Sequence, residues 1–455
     1  TGSLTIGASG TLDLRNTLSV ASLEISGAGS GNRVTNGDAD GTTANLTVSG
    51  TSTLNGAVNT DGTQTYSGTT TLGSDVNLTG STIALAAVTA SGTEDLTITG
   101  NLDLNGDVSG VVDLSVSGTS NIGAHVTTTG SQTYSGATTL SAANTLTTTN
   151  SNIVFSNTVN SDGTTRNLNI NTGTGTTQFA GIVGGTSGVG DIDITGALDL
   201  DAAISNASSV AVSLTSNIGA DVTTTGTQGY SGTTTLSGGD RTLEGSTITM
   251  AAVTGTGSHD LTVTGNLDLD GAVTNVVELD ITGTSNIGAN VTTSGTQNYQ
   301  GTTTLSGGDR TLQGSTITLA AVTGGSNALT VTGNLVLDGA ISGVTNMSVS
   351  GTSNIGADVT TTGTQSYTGT TTVSASSTLI GTEISAAAIA LNDDLEIRNS
   401  SNSTLASVIS GTGALTKSGS GSLTLKGVNT FDGDLTVSAG TLYAGLAADS
   451  GNQVI

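Results

Sequence analysis

Two histidines, His125 and His259, and six arginines, Arg15, Arg33, Arg166, Arg241, Arg310 and Arg398, are the side chains best able to shuttle a proton or clamp an anion here, set against 34 acidic residues. A hydrolase or lyase would bring carboxylates together with such a group beside them. The spacing argues against it. His125 stands where other copies of the same segment carry Asp221, Asn290 and Asp358, a set of residues that reads as a solvated face. Arg241 and Arg310 are equivalents in Gly-Gly-Asp-Arg-Thr-Leu and read as turn or salt-bridge residues. Serines abound, but no Gly-x-Ser-x-Gly elbow lies between a strand and a helix. The run holding Gly184, Gly185, Gly188 and Gly190 lacks the lysine and helix of a phosphate-binding loop. With no cysteine, thiol catalysis and thiolate metal sites are excluded. Gly37-Asp38-Ala39-Asp40-Gly41 and Asn392-Asp393-Asp394 cluster oxygens that calcium would accept, but the repeated Gly-Gly-x-Gly-x-Asp pattern of calcium-binding rolls is missing. No catalytic, cofactor or metal residue is therefore assigned. Calcium is the single cofactor left open, and an enzyme is not expected.

The elements that would position any site are set by an unusual composition. Sixty-eight glycines accompany no proline, cysteine or tryptophan, and aromatics make up 2% of the chain. Large aromatic cores are out of reach. Yet 34% of residues are hydrophobic and only 9% charged, which favours order over disorder. A net charge of −26 repels phosphate backbones, so nucleic acid is not an expected partner. No apolar run approaches the roughly 20 residues of a membrane span, so direct membrane insertion is not expected. The first residues, Thr1-Gly2-Ser3-Leu4-Thr5-Ile6, lack a signal-peptide pattern and read as the start of a mature or excised piece.

Self-similarity organises the rest. Tyr66, Tyr134, Tyr230, Tyr299 and Tyr367 recur at spacings of 68, 96, 69 and 68, each two residues after a glutamine (Gln64, Gln132, Gln228, Gln297, Gln365). Asn121, Asn217, Asn286 and Asn354, each opening Asn-Ile-Gly-Ala, keep the same step, as do Asn105, Asp201, Asp270 and Asp338. Alternation such as Leu261-Thr262-Val263-Thr264 is the period of a strand. Each short run stops at Gly, Asn, Asp or Ser, the residues turns demand. Asn-Gly or Asp-Gly hairpin signals come only once per unit, against the turn after every strand that a solenoid needs. The chain thus reads as all-β, a parallel β-helix (β-solenoid) of about 20 coils of roughly 23 residues, three coils to each 68-residue unit. Residues 1–49 form N-terminal coils, 50–380 five repeats with an inserted coil near 164–185, and 381–455 C-terminal coils. Each repeat tyrosine is expected to fill a core corner, a surface row that stacks on carbohydrate being the alternative. The Asn-Ile-Gly-Ala asparagines are expected in turns.

Two resemblances add to this. The Gly226–Leu236 block, Gly-x-Gln-x-Tyr-x-Gly-x-Thr-Thr-Leu in general form, with Ser315–Val322, resembles the repeats of filamentous-haemagglutinin-like bacterial surface proteins over about residues 50–380. Ile409 to Lys417, Gly421 to Leu425, Asn429 to Gly433 and Val437 to Leu442 are similar to the passenger-associated repeat of autotransporters, near residues 408–445. The resemblance implies a type V-like secreted passenger: a right-handed parallel β-helix, extracellular or on the bacterial cell surface. Its implied role is a structural or adhesive rod mediating attachment to a host or neighbouring cell surface, glycans or matrix, or forming a surface fibre. Neither a secretion-signalling N-terminal domain nor a membrane barrel is recognisable in these residues. The alternative is a subunit that stacks end to end into an extracellular filament or matrix, since both ends stop mid-pattern without a cap. An ice-binding or carbohydrate-active β-helix is the remaining reading.

Overall fold

Short strands, each with two inward side chains flanking an outward one, follow one another at regular intervals: Ser353–Ile355, Val359–Thr361, Gln365–Tyr367 and Thr371–Val373. Three such strands and their corners close one coil. In the computed structural model, which describes residues 2–26, 33–35, 43–256 and 258–444, the strands pair in parallel, each with its counterpart one coil on. Leu335 pairs with Ser353, and Ser353 with Thr371. The described residues form a helix-free parallel β-solenoid of about 22 turns with a spacing near 19 residues. The coil is thus shorter than expected from the sequence. Wider coils occur where Asn144 pairs with Leu168, Ile153 with Thr177 and Leu168 with Ile192.

The chain divides into two compact units, Thr1–Gly232 and Thr233–Ile455. Within the second, the inward column Ile281–Tyr299–Leu319–Leu337–Ile355–Val373 runs along one face. Tyr367 does not belong to it. It lies in the column Val331–Val349–Tyr367–Ala386–Leu405, one face before Val373. The stretch from Tyr299 to Tyr367 therefore makes four coils less one face, so the sequence repeat does not close on itself and its markers move to a neighbouring face. The first unit obeys the same rule. Tyr134 shares a column with Val116 and Phe155, and Tyr230 with Val212 and Ile194. Tyr66 pairs with Leu85, whose carbonyl accepts the N–H of Asn105 on the third face.

All five repeat tyrosines are at most 2% exposed, which removes the surface carbohydrate row. Each phenol finds a partner in the glutamine two residues before it. Tyr299 Oη donates to Gln297 Oε1 at 2.9 Å, while Gln297 Nε2 donates to the Gln313 carbonyl at 2.7 Å and to Thr293 Oγ1 at 3.3 Å. The same Tyr-to-Gln bond, 2.9–3.0 Å, recurs at Tyr66, Tyr134, Tyr230 and Tyr367. A buried phenol needs such a partner. The repeat tyrosines do not stack on one another. Instead Tyr134 stacks on Phe155 and Phe155 on Phe179, both with centroids 5.2 Å apart.

The core also holds hydroxyls with no partner. Ser52 and Thr70, Ser120 and Thr138, Ser285 and Thr303, and Ser353 and Thr371 are register neighbours, all buried and all without a hydrogen bond. Each buried, unpaired hydroxyl costs about 1–3 kcal/mol. Replacing both members of a pair, Ser285→Ala with Thr303→Val, is expected to raise stability by about 1 kcal/mol or more in a urea melt. A lowered midpoint would show that the hydroxyls are engaged in the folded protein.

Candidate functional site

Polar corner residues are bound to the next coil. Asp75 Oδ1 accepts the N–H of Asp95 at 3.0 Å, Asp95 Oδ1 that of Asp113 at 3.1 Å, and Asp113 Oδ1 the hydroxyl of Ser131 at 2.8 Å. In the second unit Asp240 holds Asp260 and Asp260 holds Glu278 in the same way. Much of the acidic charge thus serves as the acceptor set of the corners. The position occupied by His125, Asn290 and Asp358 follows this logic: His125 Nδ1 accepts from Thr145 N–H at 2.9 Å, Asn290 Oδ1 from Thr311 at 3.0 Å and Asp358 Oδ1 from Thr378 at 2.7 Å. What these three residue types share is an acceptor two bonds beyond Cβ. His125→Asn should therefore leave stability unchanged, whereas His125→Leu should cost about 1 kcal/mol by thermal melting. Equal melts for the two variants would contradict the assignment.

Several other candidates are likewise tied up. Arg310 donates to the carbonyls of Ser306, Asp309 and, at 3.2 Å, Ile287, so it caps a turn. Arg15, Arg166 and Arg398 pair with Asp13, Asp162 and Glu396 at 2.8–2.9 Å. His259 offers its backbone carbonyl to Val277 N–H. Asp393 accepts from Ser376 Oγ at 2.6 Å and Asp394 from Ala414 N–H at 2.8 Å. The other proposed calcium segment, Gly37 to Gly41, lies outside the described residues. Among the described residues no three His, Cys, Asp or Glu side chains group as a metal site. Glu94 closes a small loop. Hydrogen bonds from the Ser91 and Thr93 hydroxyls hold its carboxyl down to about 2.

The Asn-Ile-Gly-Ala asparagines are not in turns. They sit mid-strand and face outward, Asn121 in Ser120–Ile122 and Asn286 in Ser285–Ile287. Three of them meet an aspartate one coil back: Asn121 donates to Asp103 at 2.8 Å, Asn217 to Asp199 at 2.8 Å and Asn286 to Asp268 at 2.7 Å. An outward column of the second unit, Thr330–Ser348–Ser366–Ser385–Thr404–Thr424, carries a small hydroxyl on six successive coils. Only the length of the coil makes this strip visible in the sequence.

One inward column breaks its aliphatic pattern near the end. After Val359, Leu379 and Ile397 comes Lys417, wholly buried. Its ammonium donates to the carbonyls of Ser418, Gly419 at 3.0 Å and Ala439 at 3.3 Å, and burial lowers its pKa. A glycine is required where this cage closes, since Gly440 has φ +76 and a Cβ there would collide with the backbone carbonyl oxygens of Gly419 and Gly421. Leu415 and Lys417 pair with Leu435 and Val437, and Leu423 with Leu442, which makes this segment one coil laid on another. Residues 415–444 match the passenger-associated-transport-repeat family. With this transport repeat built into a parallel solenoid, the protein is autotransporter-passenger-like. Searches of curated proteins and of solved structures each returned no match.

Proposed function

We propose that the chain is an extracellular structural and adhesive rod segment of a bacterial surface or secreted protein, one that mediates attachment or forms a surface fibre. The observation carrying this reading is the transport repeat at residues 415–444, continuous in register with the solenoid before it. A structural role fits the corner carboxylates and arginines, which are spent on backbone groups and on one another. Its partners are a host or neighbouring cell surface, glycans or matrix. Beads coated with the purified chain should adhere to cells or matrix proteins more than beads coated with an unrelated acidic protein. Equal adhesion would remove the adhesive half of the proposal. Antibody labelling of intact producing cells and of their medium tests the location, and protein confined inside the cells would overturn it.

A further inference from the structure

The fourth copy of the surface pair described above is broken. Where Asp103, Asp199 and Asp268 hold their asparagines, Val336 stands opposite Asn354. The Asn354 Nδ2 thus loses the aspartate acceptor that the other three copies have, and its Oδ1 is buried with no hydrogen-bond partner. Around this break lies a pocket of about 450 Å³, within the second unit, lined by Val336 and Asn354 together with Asn334, Asn392, Thr352 and Thr372 among others. That volume is at the lower end of the roughly 300–1,000 Å³ usual for small-molecule sites.

The lining carries no charged side chain, although the chain as a whole carries a net charge of −26. A cation would find no carboxylate in it, and an anion would be repelled by the surrounding field. What the lining offers is side-chain amides, hydroxyls and one outward aliphatic side chain. Amides and hydroxyls can donate and accept at once, as vicinal hydroxyls require, and Val336 offers an apolar surface for a C–H face. We propose that this pocket is a binding subsite for a neutral polyhydroxylated ligand, a single sugar ring of a glycan. The proposal rests on the attachment reading above and gives it one chemical target.

Substitutions that copy the other repeats test it without threatening the fold. Val336→Asp rebuilds the Asp–Asn pair and places a carboxylate in the pocket. Asp268→Val breaks the equivalent pair one repeat earlier. The full chain is titrated by ligand-observed NMR with glucose, galactose, mannose and N-acetylglucosamine, and with sialic acid as the charged comparator. The expected result is saturable binding of at least one neutral sugar and none of sialic acid, a loss of tenfold or more in affinity in V336D, and unchanged affinity in D268V, which breaks an Asp–Asn pair outside the pocket. Absence of binding by every neutral sugar, or unchanged binding in V336D, overturns the subsite. Bead adhesion measured on the same preparations separates the two readings: adhesion retained without sugar binding refutes the subsite alone, and adhesion absent from both wild type and V336D refutes the attachment role.

Discussion

Raising the pH through about 10 is expected to unfold the solenoid steeply. A phenol in the unfolded chain titrates near 10. Burial pushes those of Tyr66, Tyr134, Tyr230, Tyr299 and Tyr367 well above that. The folded protein therefore keeps protons that the unfolded chain gives up. The stabilisation is complete below about pH 10 and is lost as the pH climbs above it. Each buried tyrosine contributes a slope of about 1.4 kcal/mol per pH unit. Three of the five lie in the unit Thr1–Gly232 and two in Thr233–Ile455, so that the two units should lose about 4 and about 3 kcal/mol per pH unit. Urea melts followed by circular dichroism from pH 8 to 12 would show this, and Tyr299→Phe should flatten the slope by one tyrosine. Stability unchanged to pH 11.5 would mean that the phenols are not held in the core.

A second large effect is expected from one methyl group. Gly333 has φ +137, and a Cβ there would sit 1.9 Å from the carbonyl oxygen of Gly314 in the preceding coil. The ladder prevents escape, since Gly333 in turn accepts the N–H of Gly351. Gly333→Ala thus combines a backbone conformation closed to side chains with a collision between coils, and should cost about 3 kcal/mol or more. Gly229→Ala is the control. Nothing lies within 4 Å of its added Cβ, and a change within about 0.5 kcal/mol is expected. Equal denaturation midpoints for the two variants would contradict the close stacking of coils.

The alternation of Val, Ile and Leu with Thr and Ser, and the glycine-rich corners, were enough to read a parallel solenoid from the sequence. The coil length was not legible in the same way. Dividing the sequence repeat into three whole coils assumes that it must return to its starting face. Hydrogen bonding between coils imposes no such condition, because any inward Val, Ile, Leu or Tyr can stack on any other. Tyr299 lies on Leu319 as readily as Tyr367 on Ala386. The signal that was present is the even spacing of inward residues from strand to strand, as in Ile355, Thr361, Tyr367 and Val373. The corner role of His125 was hidden for a related reason. A position that tolerates His, Asp and Asn looks indifferent in sequence, yet all three supply the acceptor that the next coil's amide requires. Lys417 could be matched to a family motif but not to its carbonyl cage, since Ala439 meets it only after the next coil has stacked.

The short coil fixes the faces, the tyrosine columns and the hydroxyl strip. The chain has no native cysteine, so nitroxide pairs can be placed at will. Labels at Thr330→Cys with Ser348→Cys, and at Ser348→Cys with Ser366→Cys, occupy outward positions one coil apart on adjacent strands. Adjacent strands lie about 4.8 Å apart, so both pairs should give strong dipolar broadening in continuous-wave spectra. Spectra equal to the sum of the singly labelled proteins would contradict the short coil.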